Sequence, residues 1–143
     1  MNRRTMLALL VLGVFGALPA RSLDTFVVVV HAKNTTRSLP KEQVARLFMK
    51  KDVRWPDGSK VEPVDRDSEA AVRGSFCQSV HGKDVSAIKS YWQRQLFSGR
   101  DTPPPELASD RAVLEYVASH PGAIGYVAAD TTLPAGVRAL GLE

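Results

Sequence analysis

The chain has 143 residues, of which 44% are hydrophobic, and this length suits one domain with a hydrophobic core. The formal charge of +4 falls to +2 without the two arginines at positions 3 and 4, and no basic block with interleaved aromatics follows. This weak excess argues against nucleic acid as a partner, and the single cysteine excludes an internal disulfide.

Residues 1–20 have the organisation of a secretory signal peptide. Residues 1–4 form a short basic start, and residues 6–18 form an unbroken apolar run with glycines. This run is too short and wrongly flanked for a stable membrane span. The sequence therefore predicts cleavage after Ala20 and a secreted domain at residues 21–143.

The first predicted element of the domain is a strand within residues 23–31. Its run of four valines has no polar alternation, which is typical of a strand buried on both faces of a sheet. A helix follows, with Ser38 as its predicted cap and Pro40 in its first turn, where the missing N–H is not needed. A loop then leads to Trp55, which we expect to cover the edge of the core.

Residues 61–76 are the stretch around which the rest of the domain is organised. Val61–Val64 is predicted to be a short strand, and Arg66, Asp67 and Ser68 then form a polar corner. After this corner the apolar residues take helical spacing. The sequence therefore predicts a strand, a tight turn and a helix.

The polar corner has two interpretations. The first-turn N–H groups of a helix are unpaired and the dipole is positive there, so an anion is favoured, and Arg66 would add a bidentate donor. The structural alternative is that Asp67 or Ser68 caps a helix starting at Glu69, which pairs on the surface with Arg73, four residues further on. The spacing of the residues leaves both interpretations open.

The rest of the chain predicts two more helices and two more strands. The third helix spans Val85–Phe97 with an apolar face of residues four apart, and Ser109 is the predicted cap of the fourth. Strands are predicted at residues 123–127 and 137–140, and Gly125 would let another backbone or a ligand come close. The residues predicted to be buried on the last three helices include Phe76, Ile88, Trp92, Leu96, Leu114 and Val117.

Four strands and four helices thus alternate along the chain. This pattern predicts an α/β fold, with a mixed sheet flanked by helices on both faces. Ligands of such sheets tend to bind where strands give way to helix N-termini. The polar corner at residues 66–68 lies at such a place.

The sequence offers no recognisable catalytic or metal-binding set. Cys77 lies beside Phe76 on a helix and is predicted to be a small buried hydrophobe. The three histidines, His31, His81 and His120, fall at a strand end and two helix ends, without the spacing of a dyad or a metal site. We therefore expect a protein that is not an enzyme and that needs no cofactor.

Three stretches, in a fixed order along the chain, carry a family resemblance. Residues 44–58 contain LFMKK and then RWPDG, residues 64–68 read VDRDS, and residues 121–127 read PGAIGYV. They are similar to a helix end with its tryptophan-containing turn, an arginine-containing phosphate loop and a PGAIGYV motif in the periplasmic phosphate-binding protein family of ABC importers. The resemblance covers most of residues 25–130.

This resemblance implies a single periplasmic-binding-protein-like lobe that binds inorganic phosphate or another oxyanion in the periplasm. Arg66, Asp67 and Ser68 would be its ligand-binding residues. The chain departs from the family at residues 69–71, where EAA replaces Ser-Gly-Thr, so hydroxyls and a glycine that hold phosphate are missing. The alternative function is a non-catalytic interaction module that docks a membrane sensor, a transporter subunit or a second copy of itself.

Overall fold

The computed structural model describes residues 25–143, and the predicted signal peptide lies outside these residues. Within them the chain forms seven strands, four α-helices and one π-helical turn. The strands are β1 (Phe26–His31), β2 (Ser38–Leu39), β3 (Glu62–Pro63), β4 (Asp65–Arg66), β5 (Glu106–Leu107), β6 (Ala123–Ala128) and β7 (Val137–Leu142). The helices are α1 (Lys41–Phe48), α2 (Ala71–Phe76), α3 (Val85–Phe97) and α4 (Asp110–Ser119), and the π-helical turn (Cys77–His81) continues α2.

Five strands form a mixed sheet in the order β2-β7-β1-β6-β3. The central strand β1 is antiparallel to β6 and β7, while β2 and β3 run parallel to their neighbours at the two edges. The strands β4 and β5 pair in parallel as a separate two-stranded sheet. The predicted α/β class with a mixed sheet is confirmed. The three strands that the pattern did not predict, β2, β4 and β5, have two residues each, which is too short to show a period.

Helices cover both faces of the sheet because β1 is apolar on both. On one face Val28 and Val30 join the aromatic residues Phe48 and Phe76 of α1 and α2 in one core cluster. On the other face Val29 joins a second cluster built with α4. The predicted burial of the first strand on both faces is therefore confirmed. None of the helices within residues 25–143 is long and apolar enough to cross a membrane.

The buried helix positions agree with the prediction except at the end of α3. Leu96 is 51% exposed, so its predicted burial is wrong. The physical reason is that α3 packs through its first turns, against Met49 and Cys77, and its last turn extends past this small cluster. The predicted residues that are buried are Phe76, Ile88, Trp92, Leu114 and Val117.

The two predicted N-caps of α1 and α4 have different outcomes. Ser38 does not cap α1, because the pairing of β2 with β7 places it in a strand, and α1 begins at Lys41 with Pro40 as its N-cap. Ser109 caps α4 as predicted, since its hydroxyl accepts a hydrogen bond from the N–H of Ala112 at 3.0 Å. A single N-cap residue is therefore a reliable signal only where no strand pairing competes for it.

The glycines of the PGAIGYV motif lie in close packing. Trp55 is 3% exposed and its indole N–H donates to the carbonyl of Gly122 at 2.9 Å, so its predicted place at the core edge is confirmed. A Cβ on Gly122 would lie 2.2 Å from the carbonyl oxygen of Lys60. A Cβ on Gly125 would lie 2.7 Å from a methyl of Val113 on α4. The close approach predicted at Gly125 is therefore made by a core side chain.

Candidate functional site

The chain turns from β4 into α2 at the polar corner that the sequence predicts. Arg66 ends β4, and α2 begins at Ala71. The turn between them is closed by the N–H of Ala70, which donates to the carbonyl of Asp67 at 3.1 Å. The structure thus brings Arg66, Asp67 and Ser68 together at one corner, and the predicted order of strand, turn and helix is correct.

The structural interpretation of this corner is wrong in both of its parts. The helix α2 has no side-chain cap, so neither Asp67 nor Ser68 takes that role. Glu69 is exposed and precedes the helix, whereas Arg73 is 2% exposed and pairs with Asp65, with 3.6 Å between Nε and Oδ1. Arg73 turns inward because a buried carboxylate on β4 supplies its counter-charge, which the helical pattern does not reveal.

Both backbone groups of Arg66 are held by buried side chains. Its N–H lies 3.0 Å from Oδ1 of Asp65 and 3.3 Å from the hydroxyl oxygen of Tyr126. Its carbonyl oxygen accepts a hydrogen bond from the guanidinium of Arg73 at 2.8 Å. The hydroxyl of Tyr126 in turn donates to Asp65. The tyrosine of the PGAIGYV motif therefore helps to position the arginine of the VDRDS motif.

Asp65 and Arg73 form a buried ion pair at the centre of this network. The Nε of Arg73 makes no hydrogen bond within the described residues, while its NH1 donates to Glu106 at 2.6 Å. Burial raises the pKa of Asp65, and the charge of Arg73 opposes that shift. Burial and the neighbouring Asp65 raise the pKa of Tyr126. Removing one partner of such a pair leaves a buried charge, so the pair ties α2 to β4 and β5.

The guanidinium of Arg66 is already engaged by three groups. Its Nε donates to the carbonyl of Leu107 at 3.2 Å, its NH1 donates to the carboxylate of Asp110, and its NH2 lies 3.3 Å from Oδ1 of Asp67. The side chain is 12% exposed. A guanidinium has five N–H donors, so two remain for a ligand after these contacts within residues 25–143.

Carboxylates outnumber cations at this corner. Asp67 and Asp110 contact Arg66, and Glu69 is exposed in the middle of the turn. An anion there is attracted by one guanidinium and repelled by several carboxylates, so its net electrostatic gain is small. The hydroxyl of Ser68 makes no hydrogen bond within the part of the chain that the structure describes, so it is free to donate to a ligand.

The corner lies outside the clefts described for residues 25–143. One cleft of the described chain has a volume of about 330 Å³ and includes β3, and two others have about 140 and 150 Å³. None of these three is lined by Arg66, Asp67 or Ser68. Hydrogen bonds to a bound anion would compete with water at such a surface, which weakens them.

Sequence reasoning missed the residues that hold Arg66 in place. Asp110 and Tyr126 were not singled out as its partners, Asp65 was not expected to be buried, and Arg73 was placed on the surface. A usable signal exists for two of them, because an acid within an apolar strand pattern and a tyrosine within a buried strand each need a hydrogen-bond partner.

The chemistry of the other polar groups is limited. Burial raises the pKa of Cys77 to about 11, so at neutral pH the group is a thiol and not a nucleophilic thiolate. Its predicted role as a small buried hydrophobe is confirmed by its place in a core cluster. Within residues 25–143, no group of three or more His, Cys, Asp or Glu side chains is arranged to hold a metal ion.

The fold is that of the substrate-binding proteins of phosphate ABC transporters. An ABC-type phosphate transport receptor from Vibrio cholerae is similar, with a TM-score of 0.65 and 20% identity over 83% of this chain and 46% of its own. A phosphate ABC transporter substrate-binding protein from Clostridium perfringens with bound phosphate has a TM-score of 0.63 and 17% identity, over 83% of this chain and 45% of its own. PstS from Borrelia burgdorferi has a TM-score of 0.58 and 16% identity, over 84% of this chain and 47% of its own.

The similarity between this chain and these three structures is a similarity of fold. The chain spans under half the length of these structures, which agrees with the single lobe that the sequence resemblance implies. Two of these structures are of phosphate transport proteins. No protein-family model matches the chain, and no curated protein matches it.

Proposed function

We propose that the chain is a non-enzymatic, phosphate-binding-like protein of the periplasm, which binds phosphate or another oxyanion at the corner of Arg66, Asp67 and Ser68. The observation that carries this proposal is the position of Arg66, which is held by buried side chains at the junction of a strand and a helix. The fold neighbours support it, since one of them contains bound phosphate. A membrane transporter or sensor protein would be its partner.

The three residues have different roles in this proposal. Arg66 holds the oxyanion with its two remaining N–H donors, in the planar fork that suits phosphate. The hydroxyl of Ser68 adds a third donor. Asp67 contacts NH2 of Arg66 and orients the guanidinium.

The position of the corner outside the described clefts and its neighbouring carboxylates predict weak binding. A binding free energy of about −4 kcal/mol corresponds to a dissociation constant of about 1 mM. Tight binding would require a second surface to exclude water, and residues 25–143 provide one lobe. We therefore expect the protein to respond to millimolar phosphate, unlike a closed two-lobed site.

Calorimetric titration of the secreted protein with phosphate tests this proposal, with sulfate as a second oxyanion. Arg66→Lys keeps the charge but loses the fork, so it should weaken binding severalfold. Arg54→Lys is the matched control, because Arg54 is exposed in the loop between α1 and β3, where its guanidinium donates to the carbonyl of Gly58. An absence of heat at millimolar phosphate would contradict the proposal.

The carboxylate of Glu69 supplies the second arm of the same titration. Glu69→Gln removes a negative charge at the corner, so it should tighten binding, and more so at low salt because an exposed charge is screened. Glu42→Gln, in the first turn of α1, controls for the change in net charge. Equal affinities for wild type, Arg66→Lys and Glu69→Gln would remove the corner from the binding site.

The alternative function, an interaction module, has one feature in its favour. Leu96 and Phe97 at the end of α3 are 51% and 95% exposed. Monomers seldom expose large apolar patches, but two adjacent side chains fall within the ordinary range. Nothing in the described residues shows what would cover them, so oxyanion binding is the function that we propose.

A further inference from the structure

A second surface of the molecule is electrostatically more favourable to an anion than the Arg66 corner. It is a cleft of about 150 Å³ between α1, the end of the π-helical turn and the start of α3. The charged side chains that line it are all basic, namely Arg46, Lys51 and Lys83, and the ring of His81 completes its polar wall. We call the cleft lined by these four side chains the basic cleft.

Two carboxylates lie close to the basic cleft but do not line it. Asp52 pairs with Arg46, with 2.9 Å between Oδ2 and Nε. Asp84 follows Lys83 in the chain, and its carboxylate accepts a hydrogen bond from the N–H of Ala87 at 2.8 Å, which caps α3. Three cations and these two carboxylates leave a net positive charge at the basic cleft.

The charge at the Arg66 corner has the opposite sign. There one cation contacts two carboxylates, Asp67 and Asp110. In the basic cleft Lys51 and Lys83 have no ion-pair partner within residues 25–143, and the Nζ of Lys51 lies 5.8 Å from the ring centre of Tyr91. Because Coulomb energy follows the sign of the summed charge, an oxyanion gains more at the basic cleft than at the corner.

His81 adds a directional donor to this charge. Its ring packs edge-on against Phe76, with 5.5 Å between ring centres. Burial is the main cause that lowers the pKa of His81 to about 4, and the charges of Lys83 and Arg73 lower it further. The imidazole is therefore neutral at pH 7, and its ring nitrogens make no hydrogen bond within the described residues, so its N–H is available to a ligand.

We propose that the basic cleft binds a small oxyanion of the hydrogen phosphate class, held by Lys51, Lys83 and the ring N–H of His81. A cavity of about 150 Å³ holds one benzene-sized molecule, so the basic cleft has room for a single phosphate group. This site is independent of Arg66. The structural alternative is that the basic residues only complement the C-terminal ends of α1 and the π-helical turn.

Lysine variants of the secreted protein test the proposal by phosphate titration at constant ionic strength. Lys51→Gln and Lys83→Gln should each weaken phosphate binding about three- to fivefold, which is the fold-change expected when one exposed charge interaction is lost. The double variant should lose more than either single variant. Lys33→Gln, on the exposed loop after β1, is the matched control and should leave the affinity unchanged.

The imidazole proton signals of His81 provide a readout at the basic cleft itself. A phosphate bound in the basic cleft would offset the charges of Lys51, Lys83, Arg46 and Arg73, so it should raise the pKa of His81, and by linkage it should bind more tightly as the pH falls. This rise should persist in Arg66→Lys and disappear in the double lysine variant.

The outcomes separate the two sites. The basic cleft is supported if the lysine variants bind phosphate more weakly and phosphate raises the pKa of His81, whether or not Arg66→Lys has an effect. A phosphate affinity that falls only in Arg66→Lys, with unmoved His81 signals, overturns the basic cleft and supports the corner. An absence of phosphate binding overturns both.

Discussion

Arg73 shows how one buried carboxylate changes the role of a residue. On helical spacing alone it is a surface partner of Glu69, yet in the structure it is buried and contacts Asp65, Glu106 and the carbonyl of Arg66. A buried ion pair contributes little net stability, but losing one partner is costly. At the scale of single residues, the geometry of the candidate corner therefore depends on a buried side chain outside it.

Gly122 provides a test of packing at a single atom. A Cβ there would lie 2.2 Å from the carbonyl oxygen of Lys60, so Gly122→Ala must move backbone and should destabilise the protein by about 1–3 kcal/mol. Gly74→Ala is the matched control, because a Cβ at this helical position meets nothing within 4 Å. It should stabilise the protein by roughly 0.5–1 kcal/mol. Urea unfolding followed by circular dichroism measures both, and equal effects would contradict the described packing.

The lowered pKa of His81 predicts how the stability of the protein changes with pH. Its pKa is lowered from 6.5 to about 4 in the folded state, so the unfolded chain binds this proton more readily. The contribution of neutral His81 to stability is therefore fully present above pH 6.5. It is lost as the pH falls from 6.5 to about 4, and the total loss is about 3 kcal/mol. His81→Gln should flatten the profile of the urea midpoint between these pH values. Parallel profiles for wild type and variant would show that His81 is not the group responsible.

At the scale of elements, the helices differ in how their N-termini are stabilised. In α4 the hydroxyl of Ser109 accepts a hydrogen bond from the N–H of Ala112, whereas the N-cap residue of α2 is Ala70, which provides no side-chain cap. The start of α2 is held instead by the turn after β4 and by the buried pair of Asp65 and Arg73. Tertiary contacts thus replace a local cap at the helix that follows the candidate site.

This difference predicts unequal effects of removing two serine hydroxyls. Ser109→Ala should destabilise the protein by about 1 kcal/mol, the usual value for loss of an N-cap. Ser68→Ala should change stability by less than about 0.5 kcal/mol, as expected for a surface position without a cap. Thermal unfolding of both variants is the measurement. A loss at Ser68 equal to that at Ser109 would restore the capping interpretation of the corner.

At the scale of the whole molecule, the domain has the fold of much larger binding proteins but spans under half their length. Residues 25–143 provide one lobe, and a hydrogen bond to an anion is weaker at a surface that water reaches than in an enclosed site. The proposed anion binding then depends mainly on charge, which is more positive at the basic cleft than at the corner. The size of the domain and the expected weak binding are thus connected.

Export is the prediction that concerns the whole chain. We expect the signal peptide at residues 1–20 to be removed and the mature protein to begin near residue 21 in the periplasm. N-terminal sequencing of the protein recovered from the periplasmic fraction measures this. Replacing Leu10 with Arg would interrupt the apolar run and should retain the precursor in the cytoplasm. Recovery of a periplasmic chain that begins at Met1 would contradict the prediction.

Local patterns in the sequence were sufficient for features that lie within one element. The valine run predicted a strand buried on both faces, Ser109 predicted a cap, and Trp55 predicted the core edge, because periodicity and capping are encoded by neighbouring residues. The order of strand, corner and helix around Arg66 was predictable for the same reason. The lobe-like fold followed from the three motifs and was confirmed by the structural neighbours.

Only the tertiary structure decided which charges meet. Arg66 contacts Asp110, 44 positions away, and Tyr126 donates to Asp65 across 61 positions. The basic cleft likewise joins Arg46 of α1 to Lys83 before α3. Such contacts depend on how helices and strands pack, and no local pattern encodes the partner of a charged side chain. The balance of charge at the corner and at the basic cleft, on which the proposed anion binding depends, was therefore not predictable from the sequence.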